Sequence, residues 1–168
     1  MIILILFVGA VLFATTMIFA QPSGRKTLLV TLGLVLTIGS AGAMILNYNQ
    51  HLGLKQVTVT RHYPLASSQP KAGRVLLVKP LGTAGREPVY LYRTNPLAKQ
   101  LTKTNPAKGS AKVIRNAAQT RLTVKTTTWV YRNEELRLLF DVGMPNHEFA
   151  GKQWQFELKS GWRVVTLR

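Results

Sequence analysis

Two uninterrupted apolar runs open the chain, and beyond about residue 50 an alternating apolar–polar pattern replaces them. From Ile2 to Ala20, nineteen residues carry no charge, and nearly all are Ile, Leu, Val, Phe, Met or Ala. As a helix rising about 1.5 Å per residue this run reaches about 28 Å, close to the ~30 Å hydrocarbon core of a bilayer. A second run, Thr27 to Leu46, adds twenty uncharged residues, and the next Lys or Arg is Lys55. A soluble core helix of this length would show a polar face. The pattern therefore predicts two membrane-spanning helices, 2–20 and 27–46, joined by a loop at 21–26. Pro22 and Gly24 break the helices in that loop, and six residues can join only antiparallel neighbours, so the spans form a hairpin. A cleaved signal peptide followed by one anchor fits less well. No Lys or Arg precedes the first run, and the candidate cleavage triplet Ile18-Phe19-Ala20 holds a bulky residue where a small one is expected.

Small residues recur at one-turn spacing, Ala10 with Ala14 and Gly39 with Ala43. Small-xxx-small spacing lets helix backbones approach closely in lipid. Whether it serves the hairpin, a homodimer or nothing beyond the ordinary abundance of Gly and Ala in such helices stays open at this level. The loop carries Arg25 and Lys26, and short basic loops remain cytoplasmic. The expected orientation is thus a cytoplasmic loop, with the N-terminus and the C-terminal domain outside. Lys55 and Arg61 argue modestly the other way. Tyr48 falls at the outer end of the second span, where an amphipathic ring prefers the headgroup layer.

After a juxtamembrane linker at 47–55, the period changes to two. "QWQFELK" sets Trp154, Phe156 and Leu158 against Gln153, Gln155, Glu157 and Lys159, as a half-buried strand does. "QVTVTRHY", "GRVLLVKPL", "PVYLYRT", "TRLTVKTTTWVYR", "LRLLFDVG" and "WRVVTLR" are rich in strand-forming residues and are separated by turns. Six to eight strands without an amphipathic helix predict a small, mostly antiparallel β domain at 56–168, a sandwich or partial barrel. The whole is a membrane-anchored α+β chain. Trp129, Trp154 and Trp162 are expected in its core rather than on a stacking surface.

Charge then narrows the picture. Twenty of the 22 basic residues and all six acidic ones follow Asn47, giving this part a formal charge of +14. Pro88 to Asn133 holds nine basic residues and no acid. Within it, two Thr-Asn-Pro triplets and sparse apolar residues predict a flexible basic loop at about 94–119. Arg93, Lys99, Lys103, Lys108, Lys112 and Arg115 are the candidate anion-binding residues. Cysteine is absent, which removes disulfides, thiolate nucleophiles and cysteine metal sites.

The segments Val78–Thr94 ("VKPLGTAGREPVYLYRT") and Arg121–Met144 ("RLTVKTTTWVYRNEELRLLFDVGM"), with the first helix starting at Met1, resemble a family of small membrane proteins of lactic acid bacteria. Those proteins have two N-terminal spans and a C-terminal domain of unknown function. The resemblance implies membrane placement and brings no catalytic residue, cofactor or substrate. It also implies company with multidrug efflux transporters.

Catalytic chemistry finds little support. A Ser-His-Asp set can be assembled only by counting, from Ser67, Ser68, Ser110 or Ser160 with His62 or His147 and Asp141, and no G-x-S-x-G elbow exists. No two His stand at ligand spacing, and Glu134 and Glu135 are adjacent rather than flanking a cleft. "PLGTAG" (Pro80 to Gly85) is neither a P-loop nor a dinucleotide fingerprint. We expect no catalytic, cofactor or metal site. The expected role is a non-enzymatic membrane protein of the cell envelope, whose basic domain contacts teichoic-acid phosphates or anionic headgroups. The alternatives are an accessory subunit of an efflux transporter and a membrane-tethered cytoplasmic domain holding nucleic acid by charge. For the last, no RRM, KH or helix-turn-helix signature is present, so no specific nucleic acid is expected.

Overall fold

A computed structural model describes residues 1–81 and 87–167. The "PLGTAG" turn read from the sequence falls largely outside them. Helices α1 (Ile2–Phe19) and α2 (Gly24–Gln50) come first, followed by β1 (Leu54–Pro64), β2 (Val75–Leu81), β3 (Glu87–Tyr92), β4 (Thr102–Lys103), β5 (Gly109–Arg115) and β6 (Arg121–Tyr131). A short helix, α3 (Glu134–Phe140), precedes β7 (Glu148–Leu158) and β8 (Arg163–Thr166). By internal contacts the chain divides into two units, Met1–Val57 with Trp129–Phe149, and Thr58–Thr128 with Ala150–Arg168.

The first unit contains the hairpin. Both helices bury every seventh residue, Ile2, Gly9 and Thr16 on α1 and Gly33, Ser40 and Asn47 on α2. A seven-residue stripe is the seam of two helices wound gently about each other. The glycines set how close they come. A Cβ on Gly9 would stand 2.8 Å from Leu36 Cβ, and one on Gly33 would stand 2.7 Å from the Phe13 backbone nitrogen. The small residues singled out by spacing are not at these closest approaches. Gly39 is exposed and a Cβ there meets nothing within 4 Å, Ala14 is exposed, and only Ala10 and Ala43 are half-buried.

The connection is built from its own polar groups. Ser23 caps α2 by accepting from the Lys26 backbone N–H at 3.3 Å. Lys26 Nζ donates to the carbonyls of Met17 (3.1 Å) and Ala20 (2.9 Å), placing a cation at the negative end of α1. Arg25 is exposed. The second helix outruns its expected end at Leu46: it continues to Gln50, closed by His51 in the left-handed conformation (φ 56°). The expected linker at 47–55 is therefore mostly the last helical turn and the first residues of β1.

One expected strand is a helix. "LRLLFDVG" lies within α3 and the turn after it, capped by Asn133, whose side chain accepts from the Leu136 N–H at 3.1 Å. Met1's amino group donates to the carbonyls of Leu138 (2.9 Å) and Leu139 (3.1 Å), among the four that a helix end leaves unpaired. Ile2, Leu54, Tyr131, Phe140 and Met144 are the buried core of this unit.

The strands form two open sheets, ordered β1-β6-β7-β5 and β4-β3-β2-β8, with no closed barrel among the described residues. Pairing is mostly antiparallel. Thr58 meets Thr127 and His62 meets Thr123, so partner numbers fall along β6 as they rise along β1. Two pairs are parallel, β5 on β7 and β8 on β2. In the second unit Leu76 and Tyr92 from one sheet pack with Leu122, Val124, Trp154 and Phe156 from the other. The Tyr90 and Tyr92 rings lie 5.1 and 5.4 Å from that of Phe156. This is the sandwich arrangement of the two architectures anticipated. Trp154 is 4% exposed and Trp162 packs against the same core cluster, while Trp129 packs in the first unit and stacks on His51 at 4.0 Å. The tryptophans thus serve packing.

Candidate functional site: a basic face and an apolar pocket

The segment expected to be a flexible loop is largely built into the fold. Gly109–Arg115 is β5, paired in register with Lys152–Leu158 of β7. Ala111 and Val113 pack on the core, whereas Ser110 and Lys112 stand exposed. Gly109 is required where β5 begins, since a Cβ there would lie 1.6 Å from the Lys152 carbonyl oxygen. Lys103 belongs to β4, and Lys108 closes a 3-10 turn whose cap Asn105 accepts from the Ala107 N–H at 3.0 Å.

Of the six candidate anion-binding residues, Lys99, Lys103, Lys108, Lys112 and Arg115 are exposed. Arg93 differs: it is half-buried, bridges to Ala66 through its backbone, and its Nε is shut from solvent without a partner among the described residues. Among the described residues the ion pairs are Arg121–Glu157, at 2.7 Å, and Arg137–Glu134. None of the five exposed cations takes part.

Sheet register adds a residue that composition did not single out. Lys79 pairs with Val89, and Lys103 pairs with Leu91 two positions along the same strand. Alternation therefore puts both lysines on one face of the sheet. They flank a cleft of about 370 Å³ that Leu81, Val89 and Leu91 help to line. Such a cleft can hold an anionic group between two ammonium ions, with apolar surface beneath it. The burial along β2 does not alternate, so only the register with β3 relates the two lysines.

A polar network crosses the other sheet. The Glu157 carboxylate accepts from Arg121 Nε at 2.7 Å, Gln155 Nε2 at 2.9 Å and Thr123 Oγ1 at 3.3 Å. Led by the Arg121 hydrogen bond, these hold its carboxyl below the ordinary range against the opposing effect of desolvation. Three of the residues that could be counted toward a triad bond within the fold. Ser67 and Ser68 donate to the backbone at Gly73 and Leu91, and His62 Nδ1 lies 3.0 Å from Thr123 Oγ1. Among the described residues no three His, Cys, Asp or Glu side chains gather as metal ligands would.

The first unit holds an apolar pocket of about 280 Å³, lined by Ile2, Met44, Ile45, Tyr48 and Phe140, with Asn47, Asn49 and Gly143. That is just under the ~300 Å³ at which ligand pockets begin, enough for part of an apolar chain. Beneath it, Asn47 Nδ2 donates to Leu52 O at 2.7 Å, and the Tyr131 hydroxyl donates to Met144 O at 2.7 Å. Burial is the main cause of the raised Tyr131 pKa.

The class defined by these features is a pair of long apolar helices leading into a basic, two-sheet β region. The chain belongs to the family described as a domain of unknown function, DUF4811, which it matches over residues 23–168. That span takes in α2 and every strand, and a domain of unknown function behind apolar helices agrees with the resemblance noted in the sequence. No curated protein and no solved structure matches the chain.

Proposed function

We propose that this is a non-enzymatic, membrane-anchored envelope protein whose basic β region contacts phosphate-bearing anions at the outer surface of the membrane. Both helices have the length and hydropathy to span a bilayer. Arg25 and Lys26 in the first turn of α2, next to the short connection, favour a cytoplasmic end of the hairpin there, with the β region outside. The observation that carries the reading is the set of exposed lysines and arginines without acidic partners, together with the cleft between Lys79 and Lys103. Such cations attract anions over about a Debye length, ~8 Å at physiological salt and ~3 Å at 1 M. Near an anionic surface each contributes about 1 kcal/mol.

The test uses the full chain in nanodiscs, offered soluble poly(glycerol phosphate) in one arm and vesicles containing anionic lipid in the other. Binding in either arm should fall steeply from low salt to 1 M, and Lys79→Gln with Lys103→Gln should weaken it. The arm that binds identifies the source of the phosphate. Binding indifferent to salt, or none in either arm, overturns the reading.

A second reading, an accessory subunit of a membrane transporter, is favoured by one observation: Gly39 and Gly42 leave open space on α2, where another helix can approach closely. Co-purification with a transporter in mild detergent tests it; a chain that always runs alone contradicts it.

A further inference from the structure

We infer that Trp129–Phe149 is a lipid-contacting collar on the hairpin, with the C-terminal end of α3 seated in the bilayer interface. The inference rests on the hairpin being in a membrane. Its first support is grouping: by contacts this stretch belongs with Met1–Val57, and its Tyr131, Phe140 and Met144 share a buried core with Ile2.

Geometry fixes the depth. With 18 residues, α1 is about 27 Å long at 1.5 Å per residue, close to the hydrocarbon thickness. Met1 therefore lies near one boundary of the hydrocarbon. Its amino group bonds to Leu138 O and Leu139 O, which pins the C-terminal end of α3 at that level. Acidic residues are denser at the start of α3 than at its end, where one exposed acid, Asp141, stands between Leu138 and Val142. Glu134 and Glu135 occupy its first turn, where negative charge suits the helix dipole. At the other end Leu138 is 54% exposed, and Val142 just beyond is 70% exposed. Tyr48 at 67% and Met1 at 61% stand exposed in the same unit. Acyl chains cover such residues without a protein partner, as they do the apolar face of an interfacial helix. The apolar pocket draws Phe140 and Gly143 from this stretch and Ile2 and Tyr48 from the hairpin.

The chain has no cysteine, so single-cysteine variants can report lipid contact without background. Val35→Cys, Glu135→Cys, Leu138→Cys and Val142→Cys, each in the full-length protein, would carry an environment-sensitive fluorophore in vesicles with or without bromine on the acyl chains. Val35, 60% exposed within α2, reports whether the hairpin is in lipid. Labels at 35, 138 and 142 should lose most of their fluorescence to bromine, and the label at 135 little. Quenching at 35 without quenching at 138 and 142 overturns the collar alone. No quenching at 35 overturns the membrane reading and the collar with it. A blue-shifted but unquenched label at 138 and 142 assigns the surface to a protein partner, which also overturns the collar.

Discussion

Single side chains in this molecule mostly complete backbone or charge requirements that the fold creates. Lys26 is one of two basic residues in the first turn of α2, yet its ammonium is taken up by the Met17 and Ala20 carbonyls. Arg25 is then the exposed charge at that end of the hairpin. Glu157 is the clearest titrating case. Because its partners depress the folded-state pKa, its contribution to stability is complete above the unfolded value, about 4.3. That contribution is lost as pH falls through the lower folded value. The melting temperature of the detergent-solubilised chain should therefore drop on acidification from about pH 5 to about pH 3, the range in which a salt-bridged carboxylate is titrated. Glu157→Gln should flatten that drop, and an unchanged slope would mean the Arg121 pair does not couple to folding.

Helices and strands show where sequence patterning was sufficient. The two spans were legible because apolar length alone specifies them, and β7 because Trp154, Phe156 and Leu158 alternate cleanly. The misreadings have physical causes. In "NEELRLLF" the strand-like content of Leu and Phe obscured a start signal, Asn133 at the cap followed by two glutamates. In "GSAKVIR" the small Ala111 gives the alternation with Val113 little apolar contrast, and its partner strand β7 is some forty residues away. No local pattern announces a long-range parallel pairing. The hairpin seam was missed because Gly9 and Gly33 are related by packing between helices, whereas Gly39 and Ala43 are related by spacing within one. Gly33→Leu should accordingly destabilise the hairpin by about 1–3 kcal/mol or more, as overpacking does. Gly39→Leu should leave it near wild type. Thermal melts of both variants in detergent check the contrast, and equal effects would refute the seam.

For the whole molecule, charge and apolar surface are divided between the two units. The candidate phosphate-binding cations lie between Thr58 and Thr128, and the hairpin and the collar lie in the other unit. Sequence set the hairpin apart from a basic domain expected at 56–168, but it gave no sign that Trp129–Phe149 groups with the hairpin, nor which lysines share a face. That depended on the registers joining Lys79 to Val89 and Leu91 to Lys103. The account therefore rests on placement.

The most direct test of that placement is labelling of intact protoplasts with a membrane-impermeant maleimide. Leu97→Cys, 88% exposed in the β region, should react without lysis, and Gln21→Cys in the helical connection should react only after permeabilisation. The reverse pattern would put the basic β region inside the cell and contradict the account.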